Sequence, residues 1–278
     1  SHTRASNVSL IERAWNGEDG RSTFAVQGQH FPALAQAMDA IGTMHRRTAT
    51  MRVIDEGWAH RWIDHGFDGV AASRSPLMGS NARAHALRTF LTQQRRFWTG
   101  RSLPLGLGHG DLSPGNLLFI RGADASEVRL NAVIDWEAGS SDSPPGLDEI
   151  FLLLTARALR SGEELGFTVR HLLEDPTLSP DEQQALAASR AAMNAAYGSV
   201  PEASVVRALC GLAWWRHVAG NVTKSSGFAG NALWVAINVD LVLAWYGAGT
   251  GGKWHDVASF PFSPMGRRWP EGFRRNVC

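Results

Sequence analysis

The sequence predicts an α+β domain, mainly helical, with one small β-hairpin near its middle. Three observations carry this. Apolar residues recur at helical spacing along most of the chain. Two short β-like runs flank a turn-prone segment. A composition of 44% hydrophobic and 19% charged residues is that of a chain that buries a core. The 278 residues suit one large domain or two small ones.

Residues 9–14 read as a short strand, followed by the turn-rich Asn16-Gly17-Glu18-Asp19-Gly20. Leu34, Ala35, Met38, Ile41 and Met44 predict a helix over 31–47. Ala86, Leu87, Phe90, Leu91 and Phe97 predict another over 82–98. The segment between them, 51–81, is mixed and holds Trp58 and Trp62. Residues 117–120 and 128–134 are the β-like runs, and 122–126 is the turn between them. After a loop over 139–146 the chain reads as helical. One helix spans 147–159. The next starts at Ser179-Pro180-Asp181-Glu182, where Ser179 can cap, Pro180 fits the first helical position and Glu182 closes a capping box. It should run to about Gly198, and helices over 205–218 and 229–245 follow. A Gly-, Pro- and Arg-rich tail from Gly249 is expected to wrap the surface.

Several function classes fall away. A net charge of +1 argues against a nucleic-acid surface spread over the domain. The most apolar stretch, 229–248, carries Asn231, Asn238 and Asp240, so a buried helix fits better than a membrane span. The first residues lack an apolar signal region, and Cys210 and Cys278 cannot build a disulfide framework. The expectation is a cytoplasmic protein with neither nucleic-acid nor membrane partners. Of the 27 basic residues, only Lys224 and Lys253 are lysines, so any mechanism needing a lysine has two candidates, both late in the chain.

The most informative residues flank the hairpin. Before it stands Gly108-His109-Gly110-Asp111-Leu112-Ser113-Pro114-Gly115-Asn116, and after it Val133-Ile134-Asp135-Trp136-Glu137. This layout suits phosphoryl transfer to an alcohol. Such transfer needs a carboxylate to orient the hydroxyl and take its proton, and oxygen ligands for Mg²⁺. Asp and Asn are hard oxygen donors, right for Mg²⁺ and poor for zinc. Asp111 and Asn116 share one loop, and the hairpin can return Asp135 beside Asn116.

His-x-Asp-x-x-x-x-Asn followed by Ile-Asp-Trp-Glu resembles the aminoglycoside phosphotransferase and choline kinase family, relatives of the protein kinases. The resemblance is strongest over 108–154. It implies a protein-kinase-like fold, with Asp111 as catalytic base and Asn116 and Asp135 as Mg²⁺ ligands. It also implies His109 as a brace of the loop and Asp148 as its support from the next helix. Leu118 and Ile134 would line the adenine floor. Residues 9–17 resemble the family's hinge strand, so the backbone of Arg13 and Ala14 would meet the adenine edge. ATP is the implied co-substrate and Mg²⁺ the implied cofactor.

Kinases of this type also carry a small lobe with a glycine-rich loop and a strand lysine. No lysine and no Gly-x-Gly-x-x-Gly precede His109. The expectation is therefore a large lobe over 21–278, with 1–20 a hinge or linker remnant. The N-terminal lobe would be removed, lost, or upstream in a parent polypeptide. The expected function is an ATP- and Mg²⁺-dependent O-phosphotransferase acting on a small-molecule acceptor, with a hydroxylated sugar or similar preferred. The alternative is an inactive kinase-like binding or scaffolding module. Hydrolase chemistry lacks a Gly-x-Ser-x-Gly elbow or a zinc motif. Gly247–Lys253 nearly matches a phosphate loop, but Trp254 replaces the final hydroxyl and a helix precedes it, so a turn is the better reading.

Overall fold

In the computed structural model, which describes residues 16–26, 28–72, 76–122 and 127–247, helices dominate and strands form two small antiparallel sheets. The chain enters through β1 (Glu18–Asp19) and α1 (Gly20–Ala25), whose first turn is capped by Asp19 Oδ1 accepting from the Arg21 backbone N–H at 2.8 Å. Helix α2 (His30–Thr48) buries the predicted stripe of Leu34, Met38 and Ile41. Then come β2 (Thr50–Val53), α3 (Glu56–Ala59), a π-helical turn (His60–Asp64) and α4 (His65–Ala72). Helix α5 (Asn81–Trp98) precedes β3 (Ser102–Gly108), β4 (Leu117–Arg121), β5 (Val128–Val133) and β6 (Ser140–Ser143).

The rest is helical: α6 (Leu147–Ser161), α7 (Leu165–Glu174), α8 (Pro180–Ala185), α9 (Ala187–Tyr197) and α10 (Glu202–Lys224). The short α11 (Ser226–Gly230), α12 (Ala232–Val235) and α13 (Leu241–Gly247) follow. The core is continuous. Helix α6 runs through it with Ile150, Leu152, Leu154 and Ala156 wholly buried, which is why its sequence is apolar without a break over 150–154.

The predicted hairpin is β4–β5, with Leu117 opposite Val133 and Leu118 opposite Ala132, and β1 adds a third strand beside β4. The expectation of a single β element is corrected by a second sheet in the order β2-β3-β6. Its strands were illegible for physical reasons. Strand β2 is exposed along its whole length and so shows no alternation, β3 contains Pro104, Gly106 and Gly108, and β6 is Ser-Ser-Asp-Ser. Pairings distant in sequence, such as Thr50 with Leu105 and Gly106 with Ser143, hold them instead.

The capping box at Ser179 and Glu182 is present, but the helix it starts breaks at Leu186 into α8 and α9. The helix expected over 229–245 is interrupted by a π-helical turn, Ala236–Asp240. Trp58 and Trp62, from the mixed segment, are buried and stacked on each other with ring centres 5.4 Å apart. The expected strand over 9–14 and the tail with its near phosphate loop lie outside the described residues.

Candidate active site

Strand β3 ends at Gly108 and delivers the chain into the His109-Gly110-Asp111 turn. Two glycines make the turn possible. A side chain on Gly108 would run into Ser143 and Asp148, and Gly110 has φ +81° with the Ala138 carbonyl directly behind it. Asp148, buried in the first turn of α6, holds the turn from below. Its carboxylate accepts from the His109 N–H at 2.6 Å and the Gly110 N–H at 2.8 Å.

The His109 ring ties the two halves of the motif together. Nδ1 accepts from the Asp111 N–H at 3.3 Å and Nε2 donates to the Ile134 carbonyl at 2.8 Å, a pair of bonds that selects the neutral Nε2–H tautomer. Trp136 lies over the imidazole, ring centres 4.7 Å apart, with its indole N–H donating to the Val133 carbonyl.

Asn116 closes the short 3₁₀ turn Pro114–Asn116. Its Nδ2 donates to the Asp111 carbonyl at 2.8 Å, and its own carbonyl accepts from the Ile134 N–H at 2.9 Å. The first bond orients the amide so that Oδ1 is left over. The second sets Asp135, the next residue, beside it. Asp135 has φ 62° and ψ 61° and is the one non-glycine residue with positive φ among the described residues. An aspartate in that conformation costs roughly 1 kcal/mol, and such outliers concentrate at working sites. The carboxylates of Asp111 and Asp135 have no hydrogen-bond or ion-pair partner among the described residues.

The structure thus brings together Asp111, Asn116, Asp135, His109, Ile134 and Asp148. Leu118 is half-buried on β4, one strand position from the Leu117–Val133 pair. Arg13 and Ala14 lie outside the described residues.

The donor set fits Mg²⁺. Asn116 Oδ1 and the Asp135 carboxylate are hard oxygens without other side-chain or backbone partners among the described residues, and Mg²⁺ is commonly held by one or two such side chains together with phosphate oxygens and waters. No cluster of three or more His, Cys, Asp and Glu side chains suited to a metal lies among the described residues.

Sequence reasoning missed one side of this site. Helix α10 flanks the loop: the Arg216 guanidinium reaches the Ala138 carbonyl at 3.5 Å and covers the Trp62 ring at 4.0 Å. Burial lowers the proton affinity of Arg216, opposed by Asp148, Asp142 and Asp111. The proton affinity of His217 is lowered, first by burial, with Asp111 pulling the other way and Lys224 adding to the effect. Lys224, at the end of α10, pairs with Glu137 at 2.7 Å. That hydrogen bond leads the rise in its proton affinity, burial opposes it, and the charges of Glu137, Asp111 and Asp135 add to it. Glu137 is correspondingly lowered, first by its hydrogen bond from Lys224.

Residues 14–144 match the profile described as the phosphotransferase enzyme family, APH. The matched segment contains His109, Asp111, Asn116 and Asp135. No curated protein and no solved structure matches the chain. The family whose profile matches is the one that the two motifs resemble.

Proposed function

We propose that this chain, residues 14–144 of which match the phosphotransferase enzyme family, is the kinase-like catalytic large lobe of an ATP- and Mg²⁺-dependent small-molecule O-phosphotransferase. The observation that carries the reading is the pairing around Asn116. One amide N–H is spent on the Asp111 carbonyl, and the backbone bond to Ile134 sets a second oxygen ligand, Asp135, next to it.

In this reading Asp111 receives the acceptor hydroxyl on its carboxylate and orients the oxygen toward the γ-phosphorus. A new oxygen–phosphorus bond forms as the bond to the bridging oxygen of ADP breaks. The hydroxyl proton passes to Asp111, and ADP leaves with the electron pair. When bound, Mg²⁺ neutralises the phosphate oxygens, and Asn116 and Asp135 are the residues that would hold it. His109 and Asp148 fix the height of Asp111, so the carboxylate is preorganised before substrates arrive. Leu118, Ile134, Arg13 and Ala14 serve the adenine. A small lobe in the parent polypeptide completes the phosphate clamp. A neutral hydroxylated acceptor such as a sugar is preferred, because the balanced charge of the chain gives no hint of the strongly acidic cleft that a polycation would favour.

The test is ADP release measured across a panel of sugars and amino alcohols. Asp111→Ala should lower acceptor-stimulated turnover by at least about 100-fold and leave MgATP affinity within about twofold. Equal loss of turnover and affinity would count against a base.

A second reading is a kinase-like binding module without activity. It predicts that no acceptor in the panel stimulates ADP release.

A further inference from the structure

Helix α10 is apolar along most of its length: Val205, Leu209, Leu212, Trp215, Val218 and Val222 are all buried. One stripe departs from this. His217, Asn221 and Lys224 stand at i, i+4 and i+7, so they share a face. Asn221 Nδ2 and His217 Nε2 are 2.9 Å apart, and Lys224 Nζ ends 2.7 Å from Glu137 Oε1. His217 and Asn221 are half-buried and Lys224 is exposed, so the stripe lies on the outward side of α10. Arg216, one residue before the stripe, reaches Ala138 in the turn that follows Asp135, and Glu137 lies in that same turn. The end of α10 is therefore fastened to the segment carrying Asp135, and the charges of Asp111 and Asp135 both act on Lys224.

We propose that Lys224 is a catalytic residue that contacts the transferred phosphoryl group, exchanging its partner Glu137 for phosphate oxygens when nucleotide binds. The inference rests on the phosphotransferase reading and deepens it.

Three features suit Lys224 to the part. It is the one lysine among the described residues, in a chain that otherwise uses arginine for its basic groups. An ammonium is a compact point charge on a flexible stem, able to follow a phosphoryl group from donor to acceptor, whereas a guanidinium is a rigid fork. The side chains of Lys224 and Glu137 are each 64% exposed, so the ion pair is weak and its exchange costs little. A phosphoryl group carries more charge than one carboxylate, and charge-assisted bonds to it are the stronger ones. The lysine would add positive charge to the phosphates from the helical side of the cleft.

The test is calorimetric titration of the full chain with MgATP and with MgADP. Lys224→Ala should weaken MgATP about tenfold and change MgADP by less than twofold, because only the terminal phosphate is lost as a partner. Lys224→Arg should restore part of the MgATP affinity. Glu137→Gln should tighten MgATP in the wild-type background and not in the Lys224→Ala background. Equal weakening of both nucleotides, no weakening of either, or the same Glu137→Gln effect in both backgrounds would overturn the role of Lys224. If Asp135→Ala removes Mg²⁺-dependent binding while Lys224→Ala leaves it intact, the lysine fails and the phosphotransferase reading stands. A wild-type chain that binds neither nucleotide overturns both.

Discussion

Two backbone N–H groups, those of buried His109 and half-buried Gly110, end on the buried carboxylate of Asp148. Bonds from N–H groups to an ionised carboxylate are stronger than neutral ones, and an N–H left unmet there costs the full desolvation penalty. Asp148→Asn keeps the size of the side chain and turns one acceptor into a donor facing a donor. The expected loss is about 2 kcal/mol of stability. A urea midpoint shift at unchanged slope measures it, and an unchanged midpoint would mean that the turn is held elsewhere. At this scale much was legible in the sequence. Asp111 and Asn116 are close in the chain, and the return of Asp135 needs only a hairpin. The left-handed backbone of Asp135 was not legible, since aspartate carries no signal that distinguishes it from its extended form. Lys224 was not legible either: it stands 87 residues from Glu137, and no local pattern says which helix end meets which turn.

Helix α6 carries a second acid that the proposed phosphoryl transfer does not use. Glu149 is buried, accepts a hydrogen bond from Ser189 at 2.9 Å, and has its pKa raised to about 7, first by burial and then by the charge of Asp148. The folded chain therefore holds this proton at pH values where the unfolded chain has released it. Stability contributed by the protonated form is whole below about pH 4.5 and is lost as pH rises toward 7. Glu149→Gln mimics the protonated acid and keeps the oxygen that Ser189 needs. It should be nearly neutral at pH 5 and stabilising by on the order of 3 kcal/mol at pH 8. Thermal melts at the two pH values check this, and a gain of equal size at both would contradict it. Elements with strong periodicity or explicit caps, such as α2, α5, α6 and the start of α8, could be read from residues alone. Strands β2, β3 and β6 could not, because their exposure, proline and glycine content, and polar sequence erase the pattern that pairing then imposes.

Across the molecule, the apolar body formed by α2, α5, α6 and α10 holds two small sheets whose ends present the polar residues. Strand β3 delivers Asp111, the β4–β5 hairpin returns Asp135, α6 braces the loop through Asp148, and α10 reaches around with Lys224. No helix among the described residues is long and apolar enough to cross a membrane. The central claim is that Asn116 and Asp135 hold a metal that ties nucleotide to this edge. Calorimetric titration with ATP, with and without Mg²⁺, on the wild-type chain and on Asp135→Ala, tests it most directly. The account predicts binding that requires Mg²⁺ and disappears in the variant. Binding indifferent to Mg²⁺, or an isotherm unchanged by Asp135→Ala, would contradict it.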